Sequence, residues 1–297
     1  MKHNLFYAFV LLAGICVATV APLQAANQPK FYKPVQTKPD DLELIDVGTV
    51  VGVTKSDVIQ LDKHRTFHLD NIRVPPVYED KAREYLTTKL VGQKVGLFRN
   101  KTLPDEGRVD KQGYEMIHMV INDGTWVQAA LVNDGYAWAD SSEFNRDLVI
   151  KLYEYEIDAR SKKRGFWKVP DLSVKNDRTI RKGTQGTYQV FEGPIWNFRS
   201  NKGYDYLNFA PDTQHDFTIA LDRNRYAMFR NYYNPEGSVQ GKAGATAYGF
   251  SPYAWGNAKV RIRGWVVDNG GPLIELTHPE QIEFPDGYPG NTLPKKK

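Results

Sequence analysis

The chain has 297 residues, of which 41% are hydrophobic and 25% charged, and a net charge of +4. That composition speaks against a membrane bundle and a disordered chain, and the length gives room for about two domains. So small a positive excess neither requires nor excludes an anionic partner.

The chain opens with Lys2, the apolar run Ala8 to Ala21 and a small-residue exit at Ala25-Ala26. This is the order of parts in a secretory signal peptide, so residues 1–25 are expected to be removed and the protein to be secreted or periplasmic in a bacterial envelope. The apolar run is shorter than the roughly 20 residues a spanning helix needs, and no membrane span is expected after cleavage. Cys16, the only cysteine, lies inside this leader, which leaves the rest without disulfide or thiol chemistry. Ile15 stands where a lipoprotein signal needs a small residue before its cysteine, so lipidation is the weaker alternative. Loss of Lys2 takes the basic count from 39 to 38 against 35 acids, a net charge of +3.

Residues 26–43 carry Pro29, Pro34 and Pro39 without periodicity and read as a linker. Strand signals follow at Val47 to Val53, Val58 to Leu61 and Thr66 to Leu69, joined by short polar turns in the manner of a small barrel. Asp80 to Leu90 has Ala82, Tyr85, Leu86 and Leu90 on helical spacing, with Gly92 as its stop. Val95 to Phe98 and Met116 to Ile121 are further strands. Helices are expected over Trp126 to Asn133, ended by Gly135, and over Arg146 to Lys163, ended by Gly165.

Two segments carry family motifs. One runs Thr66-Phe67-His68-Leu69-Asp70-Asn71-Ile72-Arg73-Val74-Pro75-Pro76, the other Asp110-Lys111-Gln112-Gly113-Tyr114-Glu115. With Leu131-Val132-x-x-Gly135-x-Ala137 and Ala159-Arg160 leading to Gly165-Phe166-Trp167, residues 44–168 resemble the staphylococcal-nuclease-like (thermonuclease) family. The resemblance implies a five-stranded barrel with helices, and an active site with its working parts exchanged. The family's two arginine clamps fall on His68 and Tyr114, its general base on Pro76, and its calcium aspartates on Asp57 and Arg73. Only Asp57 is retained. A proline neither takes a proton nor orients a water, and a guanidinium repels a cation where a carboxylate would hold it. No catalytic residue, metal or cofactor is therefore assigned. Glu79 is a candidate displaced base, with helix capping as its plainer role. Glu115 shares the expected site face, and Arg108 lies in the preceding loop.

Residues 169–186 read as a linker and 285–297 as a polar tail. Between them, residues 187–284 show five strands, at Thr187 to Trp196, Tyr204 to Phe209, Phe217 to Leu221, Lys259 to Val267 and Leu273 to Leu276. The glycine-rich stretch from Asn231 to Gly256 reads as a surface loop. The expected fold class is mainly β with helices (α+β), the nuclease-like OB barrel being followed by a second OB-like barrel. The second unit resembles a module found behind bacterial nuclease-like domains.

Strand alternation puts Tyr204, Tyr206 and Asn208 on one face, and Arg261, Arg263 and Trp265 on one face of another strand. Aromatic planes and cations together suit single-stranded nucleic acid. The plainer reading is that these side chains pack against the rest of the protein. His64 and His68 lack a third ligand, and Gly237 to Ala243 lacks the spacing of a phosphate loop. The sequence thus points to a binding or scaffold protein whose partner is single-stranded nucleic acid, another polyanion or an envelope protein. The alternative is a divergent phosphodiesterase that hydrolyses DNA or RNA.

Overall fold

One long strand sets the topology of the first half. β1 (Leu42–Lys55) pairs with β5 (Lys94–Asn100) over Leu42 to Thr49, and with β2 (Val58–Leu61) over Val50 to Lys55. Register shifts between Leu44 and Asp46, and again between Val50 and Gly52, let one strand turn the corner from one neighbour to the next. With β3 (Arg65–Leu69) and β6 (Glu115–Ile121) the ring closes in the order β1-β2-β3-β6-β5. A computed structural model describes residues 42–101, 103–146, 148–176, 184–211, 217–233 and 251–289. The expected leader and most of the first linker lie outside them.

β3 and β6 run parallel, so the chain must cross over between them. The crossover contains β4 (Ile72–Arg73), α1 (Glu79–Leu90) and β5. Alternation along the strands sends Ile59, Leu61, Phe67, Leu69, Leu97 and Ile117 inward. Helix α1 covers the barrel with Ala82, Leu86 and Leu90, while Tyr85 is half-buried and donates to Asp134 Oδ2 at 2.9 Å. Next come α2 (Val127–Asn133), β7 (Trp138–Ala139), which pairs with β4, and α3 (Val149–Ser161). The two glycines expected to end these helices also touch. Gly135 and Gly165 have φ of 71° and 50°, and a Cβ on Gly165 would stand 2.0 Å from the Gly135 carbonyl oxygen. That carbonyl accepts from Phe166 N at 2.9 Å, which fixes the exit of α3 against the end of α2.

The second half differs from the five-strand expectation. β8 (Tyr188–Pro194) joins β12 (Lys259–Trp265) and β15 (Ile282–Glu283) in a three-stranded sheet. A five-stranded sheet has the order β13-β14-β11-β10-β9, from β9 (Asn197–Asn201), β10 (Tyr204–Asn208), β11 (Thr218–Asp222), β13 (Val267–Asp268) and β14 (Pro272–Leu276). The two sheets enclose one core that includes Phe191, Leu207, Phe217, Ile219, Val260, Ile262 and Ile274. The expected surface loop starts inside α4 (Tyr226–Tyr233) and ends at a 3-10 turn, Pro252–Trp255, whose Trp255 is fully buried. Residues 234–250 lie outside the described residues. The second expected linker is partly structured, since Lys175 N donates to Val190 O and Lys175 O accepts from Glu192 N, each at 2.8 Å. At the start of the expected tail, Tyr288 stacks on Tyr233 with centroids 4.4 Å apart.

Polar groups join the halves. Arg263 on β12 donates to both carboxylate oxygens of Glu156 on α3, at 2.8 and 3.0 Å, to Ala139 O at 2.8 Å and to Glu283 at 2.5 Å. Arg146 makes a two-pronged contact with Glu280 at 2.7 and 3.0 Å, and Tyr153 Oη donates to Glu280 O at 2.5 Å. Ser141 and His278 are hydrogen bonded at 2.6 Å. No helix of the described residues is long and apolar enough to cross a membrane.

Candidate functional site

The turn between β1 and β2 presents Asp57, and alternation turns His68 outward between buried Phe67 and Leu69. The parallel pairing of β3 with β6 brings the loop before β6 alongside. There Asp110 Oδ1 accepts from Gln112 N and Tyr114 N, both at 2.8 Å, so the carboxylate is fixed by its own loop. Its Oδ2 lies 2.8 Å from His68 Nδ1, and Asp57 Oδ2 lies 2.9 Å from His68 Nε2. Both ring nitrogens face carboxylates, an arrangement that only the doubly protonated imidazolium satisfies. Burial works against that charge. The hydrogen bonds and charges of Asp57 and Asp110 outweigh it, and the pKa of His68 is raised. At Asp57 burial likewise opposes ionisation, but His68 prevails and the pKa is lowered.

The neighbouring carboxylates serve other ends. Glu79 does not cap its helix: its Oε1 accepts from Ser56 N at 2.7 Å and its Oε2 from Ser56 Oγ, which holds the turn that carries Asp57. Asp70 is buried, and burial pushes its pKa up to about 6 although Asn71 N and Asn145 Nδ2 donate to it. Glu115 accepts from Arg99 at 3.2 Å, and Arg108 pairs with Asp105 at 2.6 Å.

Arg73, at the position the resemblance gives to a calcium carboxylate, donates from Nε to Asp140 Oδ2 at 2.8 Å. Its guanidinium carbon lies 5.0 Å from the ring centroids of both Tyr188 and Trp265, within cation–π range. Tyr188 Oη in turn donates to Asp140 Oδ1 at 2.8 Å. Burial opposes the charge, yet Asp140 and Tyr188 leave the pKa of Arg73 raised. Pro76 is exposed at the start of a 3-10 turn, and Tyr114 is half-buried. Among the described residues no group of three or more His, Cys, Asp or Glu is arranged to hold a metal ion.

The six aromatic, amide and basic residues expected to form a nucleic-acid face are not brought together. Tyr204, Tyr206 and Asn208 lie on β10 in the five-stranded sheet, while Arg261, Arg263 and Trp265 lie on β12 in the three-stranded one. Alternation along β12 is as expected, but the first half covers that face. Arg263 is 1% exposed against Glu156, and Arg261 pairs with Glu192 and Glu283. Trp265 remains 51% exposed, beside Arg73. The sequence gives no signal for Asp140, and Asp110 appears in it only as the first residue of the Asp-x-x-Gly motif, without a site role.

A closed five-stranded OB barrel flanked by helices, with Asp57, His68, Arg73 and Tyr114 near one edge, defines a nuclease-like domain. Residues 59–169 match the model of the family described as staphylococcal nuclease homologue, and this stretch is a domain of that family. A search of curated proteins gives no match to the chain.

Proposed function

We propose that the protein is exported to the bacterial envelope, and that its nuclease-like barrel works there as a non-hydrolytic binding or scaffold module. Its partner on this reading is a nucleic acid, another polyanion or a protein. One observation carries the reading: the groups at three of the family's catalytic positions are already engaged by side chains of the protein itself. His68 engages Asp57, the retained carboxylate, and Arg73 fills a metal-carboxylate position with a cation of its own. Phosphodiester hydrolysis needs an activated water and charge neutralisation at the phosphoryl oxygens. Pro76 supplies no base, and Tyr114 is a weaker donor than the arginine it replaces. Export is supported by the charged, apolar and small-residue order of the leader.

The test is to incubate purified protein with single- and double-stranded DNA and RNA, in calcium, magnesium or manganese, beside an Asp57→Ala variant. The expected result is no cleavage by either. Cleavage by the wild type that is lost in Asp57→Ala would make the protein a divergent phosphodiesterase. Intact-mass analysis of envelope fractions tests export, which fails if the dominant species still begins at Met1.

A further inference from the structure

The outer face of the five-stranded sheet holds a depression of about 490 Å3 far in character from the nuclease-like site. Its floor is polar and largely buried: Asn208 is 2% and Thr218 8% exposed. Asn208 Nδ2 donates to Asn197 Oδ1 at 2.7 Å, and Asn208 Oδ1 accepts from Thr218 Oγ1 at 3.0 Å. Tyr206 forms a wall, its ring 6.1 Å from that of Tyr204 and inclined by 28°. Arg199, opposite Tyr206 in the strand register, is the single charged residue of the lining and makes no ion pair among the described residues. The turn between β13 and β14 adds Asn269.

We propose that this depression is a saccharide site, taking a neutral or singly acidic sugar unit. Sugar hydroxyls both donate and accept, as amides and hydroxyls do, and the apolar face of a pyranose ring packs on an aromatic plane. Size agrees, since the volume lies within the roughly 300–1,000 Å3 of small-molecule sites. Charge separates this reading from a nucleic-acid strand. A strand stacked on Tyr206 and Tyr204 would run toward Glu275, which accepts from Tyr204 Oη at 3.4 Å, and toward Asp222, the register partner of Tyr204. Those carboxylates repel phosphates, and Arg261 and Arg263 are engaged in the other sheet. Arg199 alone suits one carboxylate on a sugar. The site does not depend on whether the barrel hydrolyses nucleic acid.

The full chain is to be tested by saturation-transfer NMR and calorimetry against gluco-, chito- and uronic-acid tetrasaccharides, with oligo-dT and inorganic phosphate as competitors. At least one tetrasaccharide is expected to bind. Tyr206→Ala should weaken it about tenfold, the worth of an aromatic contact, with an unchanged melting temperature because Tyr206 is only half-buried. Arg199→Ala should weaken only the uronic oligomer. The proposal is overturned if no tetrasaccharide binds at millimolar concentration, if Tyr206→Ala leaves binding unchanged, or if oligo-dT or phosphate displaces the sugar.

Discussion

Arg263 and Glu156 are 107 residues apart in sequence, yet they form a two-pronged ion pair in which neither side chain is more than 1% exposed. Burial disfavours both charges, and the pair is held by further hydrogen bonds: Arg263 also donates to Ala139 O and Glu283, and Glu156 Oε2 accepts from Ala139 N at 2.8 Å. Burial also opposes the charge on Glu283, but Arg263, Arg160 and Arg261 outweigh it and bring its pKa down to about 2. The pair ties the three-stranded sheet to the helix behind the barrel.

Removing one partner strands the other. Arg263→Ala or Glu156→Gln is expected to destabilise the protein by about 3–5 kcal/mol, and replacing both with Met and Leu should recover much of the loss. Urea denaturation followed by both tryptophan fluorescence and circular dichroism measures this. A loss under 1 kcal/mol in either single variant would show that the halves are held together by other contacts.

The His68 cluster predicts a pH dependence. A raised histidine pKa adds stability that is complete below the unfolded value of 6.5 and is lost as pH rises through the folded value. The lowered pKa of Asp57 adds stability above its unfolded value of 3.8, lost as pH falls through the folded one. Both contributions are present near pH 5. Wild type should exceed His68→Gln by about 1–3 kcal/mol there, with the gap narrowing as pH rises through the raised folded pKa of His68. The comparison must be made as a difference, because the raised pKa of Asp70, about 6, gives both proteins a loss of stability as pH rises from 3.8. A gap that widens toward alkaline pH would contradict the charged ring.

Arg73→Asp restores in sequence the second carboxylate of the family pattern, yet calcium binding is not expected to return. Asp57 stays engaged by His68, and Asp140 loses its cationic partner while keeping Tyr188, at a cost of about 1–3 kcal/mol. Calorimetric titration should give no calcium heat, and the melting temperature should fall. A rise in melting temperature on adding millimolar calcium would show that the site can be re-armed by one residue.

Trp265 stands at the junction with Arg73 and away from Tyr206. Trp265→Ala should cost about 0.5–1 kcal/mol of stability through the lost cation–π contact, and leave any oligonucleotide affinity unchanged. A tenfold loss of oligonucleotide affinity in fluorescence anisotropy would return Trp265 to a binding role.

The barrel was legible because its signals are local: alternation at Phe67 and Leu69, the helical spacing of Ala82, Leu86 and Leu90, and glycines at 135 and 165. Alternation also placed Arg261 and Arg263 on the same side of their strand. It could not say what covers that side, because Glu156 arrives from a helix more than 100 residues away. The same limit hid Asp110. A turn-forming aspartate looks like any other until a parallel strand pair carries it to His68, 42 residues earlier. α4 was missed where the glycine-rich stretch that follows masked the helical spacing of Tyr226 to Tyr233.

Arg73 has one more consequence. A dissolved ion stabilises a fold only in proportion to its occupancy, so its contribution rises and falls with its concentration in the surrounding solution and vanishes in a chelator. A guanidinium fixed to the backbone is present at one equivalent in every molecule and is never diluted. With that cation held between Asp140, Tyr188 and Trp265, this edge of the barrel keeps its charge balance in media of any hardness.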